Sequence, residues 1–260
     1  MNKNITSDVL DWSARFEVLA RQAKSPCLRQ FYQAGAVSAQ TPIERVQLLA
    51  MDIETTGLDP QAHSIVSIGL MPLTLERIHC NHSLYWVLKP TSELNDKSVT
   101  FHHITHAEIS NAPTFSQISE QLLAAMAGKV MVVHYRNIER GFLDQALRKS
   151  LGEGIEFPVI DTMQLEARVY RKKLSWFARI MGRKPESIRL SDSRERLNLP
   201  AYQAHHALTD ALGTAELLQA QIANRYSRTE PLKAGLHATN NFAKVDLPLP
   251  DQPVNQIPVG

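Results

Sequence analysis

Two carboxylates follow an apolar run in the first quarter of the chain. Residues 46–53 read VQLLAMDI, and Asp52 and Glu54 stand two positions apart at its end. An uninterrupted apolar run of this length is typical of a strand covered on both faces. Because side chains alternate along a strand, both carboxylates are expected on one face, where they repel each other and lose hydration. A divalent cation would offset that cost; the alternative is a strand end that reaches solvent.

A histidine and an aspartate near residue 210 form a second candidate group. Residues 205–211 read HHALTDA, and Asp210 falls in the first turns of a helix predicted over 207–225, which His205 precedes. With this spacing the acid can bind a metal while the histidine accepts a proton in the same cavity. His-x4-Asp is common by chance, so the pair alone predicts no specific activity. His206 is expected to pack locally at the helix start.

Strand-length apolar segments and helical patterns surround these groups. The predicted strands cover 46–53, 64–70, 82–88, 129–133 and 157–160, and the predicted helices of the main body cover 116–127, 137–151, 161–171 and 207–225. Short links between the first three strands predict an antiparallel meander, and the later alternation with helices predicts a mixed sheet. The expected fold class is therefore α/β, with a mixed sheet flanked by helices.

Segments of different character flank the predicted domain at 45–226. Residues 1–44 read as an N-terminal helical extension, with Ser7 and Asp8 as its cap, a second short helix over 28–36, and an apolar stripe at Val9, Trp12, Phe16, Leu19 and Ala23. That stripe is expected to pack on the main body or on a second subunit, because the extension is too small for its own core. Residues 227–260 carry five of the 14 prolines and predict a flexible tail, or alternatively a docking peptide.

Length and composition narrow the protein class. The chain has 260 residues, of which 43% are hydrophobic and 21% charged, which fits one large globular domain and excludes wholesale disorder. No apolar run approaches the roughly 20 residues of a membrane span. Acidic residues interrupt the first 16 positions, so no signal peptide is predicted. With only two cysteines, Cys27 and Cys80, the expectation is a reducing, cytoplasmic compartment without membrane attachment.

Positive charge is concentrated in one segment. Residues 168–196 contain ten Lys or Arg and three acids, whereas the whole chain has a net charge of +2. This segment is either a footprint for a polyanion or a solvated pair of helices. Trp176 and Phe177 within it are candidates for stacking on bases or for burial in the core.

Four motifs in order resemble the DnaQ-like (DEDDh) 3′→5′ exonucleases. They are MDIETTGLDP at 51–60, HYRNIERGFLDQAL at 134–147, PVIDT at 158–162 and HHALTDALGTAELL at 205–218. The first and last strings are each fairly specific, and the resemblance extends over about residues 45–225. It implies a ribonuclease H-like fold, with three antiparallel strands leading the sheet. The implied activity is hydrolysis at the 3′ end of single-stranded DNA or RNA, with DNA favoured, releasing nucleoside 5′-monophosphates.

The resemblance also implies a role for each motif residue. Asp52, Glu54 and Asp210 would hold two Mg²⁺ ions about 4 Å apart, with Mn²⁺ as a substitute and Asp52 bridging both. His205 would be the general base. The pocket of the 3′-terminal nucleotide would be lined by Thr55, Thr56, Gly57 and Leu58.

One position departs from the family pattern. The family has Asp five residues after the histidine of the second motif, whereas this chain has Glu139 five residues after His134. The resemblance implies that Glu139 is the fourth catalytic acid and a metal ligand, with an arm one methylene longer. The alternative is a surface glutamate beside a weakened site.

Two other functions stay open at this point. An oligoribonuclease-like enzyme would trim short RNAs, although the basic segment and the added ends suit a longer strand. A nucleic-acid-binding module with a weakened site would bind without cleaving. A polymerase or repair protein is the partner that the resemblance implies, bound through the proline-containing tail; the motifs leave the oligomeric state open.

Overall fold

A five-stranded mixed sheet forms the centre of the protein. The computed structural model describes residues 10–91, 104–170 and 186–232. The strands are β1 (Leu48–Thr55), β2 (Ile65–Leu73), β3 (Leu84–Val87), β4 (Val130–Val133) and β5 (Val159–Asp161), in the order β3-β2-β1-β4-β5. The first three strands pair antiparallel, and β4 and β5 continue the sheet parallel to β1. The predicted α/β class, with a meander leading a mixed sheet, is confirmed.

Helices cover the sheet. They are α1 (Trp12–Gln22), α2 (Pro26–Gln33), α3 (His106–Ser110), α4 (Phe115–Met126), α5 (Arg136–Leu151), α6 (Thr162–Tyr170), α7 (Leu190–Arg196) and α8 (Ala207–Arg225). The four helices predicted for the main body are present as α4, α5, α6 and α8. Helices α3 and α7 are absent from the prediction, because five and seven residues are too few to repeat an apolar stripe. No helix in the described ranges combines the length and hydropathy of a membrane span.

Alternation along β1 divides the core between the two faces of the sheet. Leu49 and Met51 pack in a cluster that contains residues of α1, α2, α4 and α5. Leu48 and Ala50 pack in a second cluster with apolar residues of α8. Asp52 lies on the same face of β1 as Leu48 and Ala50, because alternate residues of a strand share a face. The carboxylates at the end of β1 therefore project toward the α8 face.

The N-terminal helices belong to the first of these clusters. Phe16 packs edge-on against Tyr32, with ring centroids 5.1 Å apart, and both side chains are buried. The α1 helix begins at Trp12, where the Asp11 side chain accepts hydrogen bonds from the next turn. This is later than the predicted start, whose residues Ser7, Asp8 and Val9 lie outside the described ranges. From Trp12 onward, the apolar stripe of the extension packs on the main body.

Polar contacts attach the same helices to the loop after α5. The Glu153 carboxylate accepts hydrogen bonds from the backbone N–H groups of Lys24 and Ser25, each at 2.9 Å, where α2 has no side-chain cap of its own. Arg15 forms an ion pair with Glu156. These contacts hold α1 and the two residues that precede α2 against a loop more than 100 residues away in sequence.

The first residues of the predicted tail are held by the backbone. Ile43 donates to the carbonyl of Glu230, and Leu232 donates to that of Thr41, each at 3.0 Å. Leu232 is fully buried in the α8 cluster. Residues 227–232 are thus part of the folded body rather than the flexible tail that their composition predicts, and 233–260 lie outside the described ranges.

Part of the basic segment has an internal structural role. The Arg194 guanidinium is buried and forms an ion pair with Glu216 at 2.7 Å. Arg196 pairs with Glu166 at 3.0 Å. These two cations are not available to a polyanion, so the charge count of 168–196 overstates its binding surface. Trp176 and Phe177 lie outside the described residues.

Candidate active site

The close approach of α8 to β2 places Asp210 near β1. Asp52 pairs with Gly69 across the β1–β2 ladder. A Cβ atom at position 69 would lie 2.4 Å from the carbonyl group of Ala207, so the start of α8 rests directly on the β2 backbone. Asp210 follows Ala207 by one turn. The last motif is therefore brought to the end of β1 by a contact that only glycine permits.

Four carboxylates form one electrostatic cluster. Burial raises the pKa of Asp52 well above its ordinary value, and the charges of Asp210, Glu54 and Glu139 raise it further. Burial and then the charge of Asp210 raise the pKa of Glu54 from 4.5 to about 7. The four acids that the sequence analysis selects from three distant segments thus lie within electrostatic range of Asp52, in a volume poor in water.

Glu139 lies in the first turn of α5 and is only 2% exposed. The alternative of a surface glutamate is therefore wrong. Its Oε2 atom is buried and has no hydrogen-bond partner in the described ranges. Burial raises the pKa of Glu139 well above its ordinary value, with a further contribution from the charge of Asp161. A buried carboxylate oxygen without a partner is costly unless a cation or proton approaches it.

Asp161, at the end of β5, orients the helix that carries Glu139. Its Oδ1 accepts from the N–H of Tyr135, and its Oδ2 accepts from that of Arg136, each at 3.1 Å. Tyr135 is held in a left-handed conformation with φ of 93°. The sequence analysis assigns no role to Asp161. Its position at the end of a predicted strand, within the PVIDT motif, is the sequence feature that could have indicated a role in the site.

His134 has a structural place beside this helix start. Its Nδ1 lies 2.8 Å from the Thr162 hydroxyl, and its Nε2 lies 3.1 Å from the carbonyl oxygen of Ile188. Burial lowers the pKa of His134 to about 4, which keeps the imidazole neutral at physiological pH. The residue, which directly follows β4, joins the start of α6 to the segment before α7.

His205 lies two residues before α8, at the edge of the acid cluster. Its backbone adopts φ of 70°, an uncommon conformation for a residue with a side chain. The N–H of His205 donates to Oδ2 of Asp210 at 2.9 Å, which ties the histidine to the acid. Ligand atoms of Glu54, His205 and Asp210 lie within 4.8 Å of one another, and the His205 side chain is exposed. The structure therefore brings the histidine and the acids of separate motifs together.

The His206 side chain packs on a neighbouring strand. Its ring stacks on Tyr85 of β3, with centroids 4.7 Å apart and planes inclined by 24°. Its carbonyl oxygen accepts from the N–H of Asp210 in the first turn of α8. The local packing expected for His206 is present.

Residues 55–58 form a folded turn after β1. The Thr55 hydroxyl donates to the carbonyl of Gly57 at 2.7 Å, and the Thr56 hydroxyl accepts from the N–H of Ser64 at 3.0 Å. The His63 ring packs so closely on Gly57 that a Cβ there would lie 2.5 Å from it. Leu58 is 40% exposed although apolar. The turn thus presents a fixed backbone and an apolar side chain beside the carboxylates.

The donor atoms fit a divalent cation. Oε2 of Glu139 and Oδ1 of Asp210 are buried, and neither has a hydrogen-bond partner among the residues that the structure describes. Glu54, partly buried, and Asp52 supply two more carboxylates. Mg²⁺ and Mn²⁺ prefer hard oxygen ligands of this kind. Positive charge would also relieve the mutual repulsion that raises the pKa values of the cluster.

Tyr202 is a further residue of the site that spacing does not reveal. Its hydroxyl opposes the rise that burial causes in the pKa of Asp210. Tyrosine three residues before His205 belongs to no pattern recognised in the sequence. Only the path of the loop between α7 and α8 brings it here.

Comparisons with known proteins agree with this geometry. The exonuclease family model RNase_T matches residues 49–218, which is more than half of the chain. The PolC-type DNA polymerase III of Thermotoga petrophila is 26% identical over 181 residues, covering 70% of this chain but 12% of that polymerase. The DNA polymerase III subunit epsilon of Treponema pallidum is also 26% identical over 181 residues, covering 70% of this chain and 79% of that subunit.

Solved structures share the fold. The nuclease domain of 3′hExo, a DEDDh family member bound to rAMP, superimposes with a TM-score of 0.57 at 16% identity, covering 69% of this chain and 92% of that domain. Exonuclease X in complex with 5′ overhanging duplex DNA superimposes with a TM-score of 0.52 at 19% identity, covering 71% of this chain and 97% of that chain. These likenesses confirm the ribonuclease H-like fold. The chain belongs to the exonuclease family RNase_T, within the DnaQ-like (DEDDh) 3′→5′ exonuclease superfamily that its motifs resemble.

Proposed function

We propose that the protein is a metal-dependent 3′→5′ exonuclease that removes nucleoside 5′-monophosphates from the 3′ end of single-stranded DNA. The observation that carries this proposal is the convergence of Asp52, Glu54, Glu139 and Asp210 with His205 at the end of β1. No single pair of these residues predicts an activity. Four carboxylates and a histidine together, with two buried carboxylate oxygens that lack hydrogen-bond partners in the described ranges, fit metal-dependent phosphodiester hydrolysis.

The four carboxylates would hold two divalent cations, Mg²⁺ or Mn²⁺. Bound there, the cations would supply a water nucleophile at neutral pH and charge stabilisation for the phosphodiester transition state. Asp52 would contact both cations, as the family resemblance implies, and the charges of all three other acids act on it. Glu139 reaches the cluster from the α5 side and Asp210 from the α8 side.

His205 accepts the proton of the attacking water in this proposal. Its exposed imidazole stands at the rim, where a proton can pass on to solvent. The hydrogen bond from the His205 N–H to the Asp210 carboxylate holds the backbone of the proposed base beside one of the proposed metal ligands. The ring of His206 is held on Tyr85, which makes it a poor candidate for the same role.

The turn after β1 would receive the terminal nucleotide. Thr55, Thr56 and Gly57 form its backbone, and the exposed Leu58 would pack against the last base or sugar.

The curated relatives favour DNA as the substrate and a polymerase as the partner. Both relatives described above are DNA polymerase III proteins. RNA trimming is the second candidate, because one structural neighbour is described as bound to rAMP. Docking of a polymerase through residues beyond 232 stays a prediction.

A cleavage assay tests the proposal. Purified protein is incubated with 5′-labelled single-stranded DNA, RNA of the same sequence and RNAs of two to four nucleotides, with Mg²⁺, Mn²⁺ or EDTA. We expect a ladder that shortens from the 3′ end of the DNA with either metal, and none with EDTA. A DNA whose last linkages are phosphorothioates should resist. Cleavage of only the shortest RNAs would favour the trimming enzyme, and binding without cleavage would contradict both.

His205→Ala should lower turnover by about a hundredfold or more, the usual contribution of a general base. Affinity for single-stranded DNA should change little, and the loss should shrink at high pH as hydroxide replaces the activated water. His206→Ala is the matched control, because that ring packs on Tyr85. Steady-state rates across pH check this expectation. A severe defect in His206→Ala combined with a mild one in His205→Ala would contradict it.

A further inference from the structure

A cavity of about 180 Å³ lies between the turn after β1 and the helices α4 and α5. It is lined by residues between 60 and 65, by 89–91 after β3, by 114–116 at the start of α4, and by α5 between Phe142 and Ser150. None of the five groups of the proposed active site is among these residues. A water molecule needs roughly 10–15 Å³ of such space, so this α5 cavity can hold a ligand with a ring.

The α5 cavity combines apolar walls with positive charge. Ile65 and Phe142 are buried in its wall, and Phe115 lines it from the start of α4. Its charged lining residues are Lys89 and Lys149, both exposed, and neither forms an ion pair within the described ranges. No acidic residue of the described part of the chain lines it. The cavity therefore favours a ligand that is apolar at one end and anionic at the other.

The start of α4 adds to the positive potential. Thr114 and Ser116 line the cavity at the beginning of this helix of 12 residues. The first N–H groups of a helix have no partner within it and attract negative charge. With the two lysines they suit a phosphate, while the apolar walls suit a planar ring. A nucleoside 5′-monophosphate carries both groups.

His63 connects the α5 cavity to the turn after β1. It lines the cavity, its ring packs on Gly57, and its Nδ1 lies 3.3 Å from the Thr56 hydroxyl. Pro60, which also lines the cavity, packs on α5, where a Cβ at Gly141 would lie 3.0 Å from the proline ring. A ligand in the cavity would therefore contact residues that support the turn proposed to receive the terminal nucleotide.

We propose that the α5 cavity is a second nucleotide site, which binds a free nucleoside 5′-monophosphate between its apolar walls and its two lysines. The proposed function would release ligands of this class as products, so the inference rests on that function for the source of the ligand. Binding itself depends only on the cavity. Because the lining residues exclude the four acids, it needs no divalent cation.

Calorimetric titration of the full chain with thymidine 5′-monophosphate tests the inference, in EDTA so that no cation links the phosphate to the acids. The double variant Lys89→Ala/Lys149→Ala removes both charges from exposed positions, so its melting temperature should change little. We expect it to bind the monophosphate about tenfold more weakly than wild type, because charge-assisted contacts to the phosphate are lost. Thymidine, which lacks the phosphate, should bind both proteins equally.

Lys24→Ala is the matched control, because this exposed lysine does not line the cavity and its backbone contact with Glu153 is kept. It should bind the monophosphate as wild type does. No binding by wild type, equal binding by wild type and the double variant, or equally tight binding of inorganic phosphate would overturn the inference and leave the proposed function intact. Binding of the monophosphate without cleavage of DNA in Mg²⁺ would overturn the proposed function and leave the second site.

Discussion

Asp52→Ala should abolish cleavage while the chain keeps its fold. Asp52 is the acid whose pKa responds to all three of its carboxylate neighbours, which places it at the centre of the proposed cation site. Loss of a central ligand should cost at least about a thousandfold in kcat/KM, or about 4 kcal/mol of transition-state stabilisation. The rate is measured on 5′-labelled single-stranded DNA at saturating Mg²⁺. A variant that degrades DNA at near wild-type rate would contradict the assignment.

The same substitution should raise the melting temperature of the metal-free protein. The pKa of Glu54 is about 7 in the folded state and 4.5 ordinarily, so the folded protein holds the proton more tightly. Metal-free stability should therefore fall as pH rises from about 4.5 to 7 and stay low above it. Removing Asp52 lessens the repulsion, and at pH 8 a gain of at least about 2 °C is expected, the shift given by about 1 kcal/mol. Scanning calorimetry in EDTA measures both.

Glu139→Ala should cost nearly as much activity as Asp52→Ala, whereas Glu139→Asp should keep a measurable fraction. The side chain is buried at the start of α5, with Oε2 directed to no partner in the described part of the chain. An alanine leaves the cluster one ligand short. An aspartate keeps a carboxylate at this helix position but shortens its arm by one methylene. Rates over a range of Mg²⁺ concentrations separate lost affinity from lost turnover.

Asp144→Ala provides the control on the same helix. Asp144 accepts from Arg148 at 2.7 Å and from the N–H of Ile155 at 3.1 Å, so its carboxylate stabilises the end of α5. Its loss should lower the melting temperature and leave kcat unchanged. Full activity of Glu139→Ala at saturating Mg²⁺, or inactivity of a folded Asp144→Ala protein, would show that the wrong acid was assigned.

Local patterns predict the scaffold of this site well. The apolar run at 46–53 forms β1, and period-two alternation places Asp52 and Glu54 on the face that α8 covers. Good helix formers predict α8 with its observed bounds of Ala207–Arg225. Both elements are determined by residues close together in the chain, which is why the sequence predicts them.

Contacts between distant segments are what the sequence does not reveal. Asp161 accepts hydrogen bonds at the start of a helix that begins 25 residues before it. Glu153 binds the two residues that precede α2, which begins 127 residues before it. Arg194 counts as surface charge in the composition of 168–196, yet it is buried under Tyr202. A guanidinium has the same formal charge whether it is exposed or buried, so composition cannot distinguish a binding surface from an internal ion pair.

The contact between Gly69 and the start of α8 sets a limit on how this protein can diverge. A side chain at position 69 would meet the Ala207 backbone at 2.4 Å, and the helix that carries Asp210 would have to lift from the sheet. Gly69 has no reactive group, yet a side chain there would displace the helix that carries one of the proposed metal ligands. Searches for proteins with the same site should therefore look for a glycine at this position together with the acids, because the close approach of the two backbones leaves no room for a side chain.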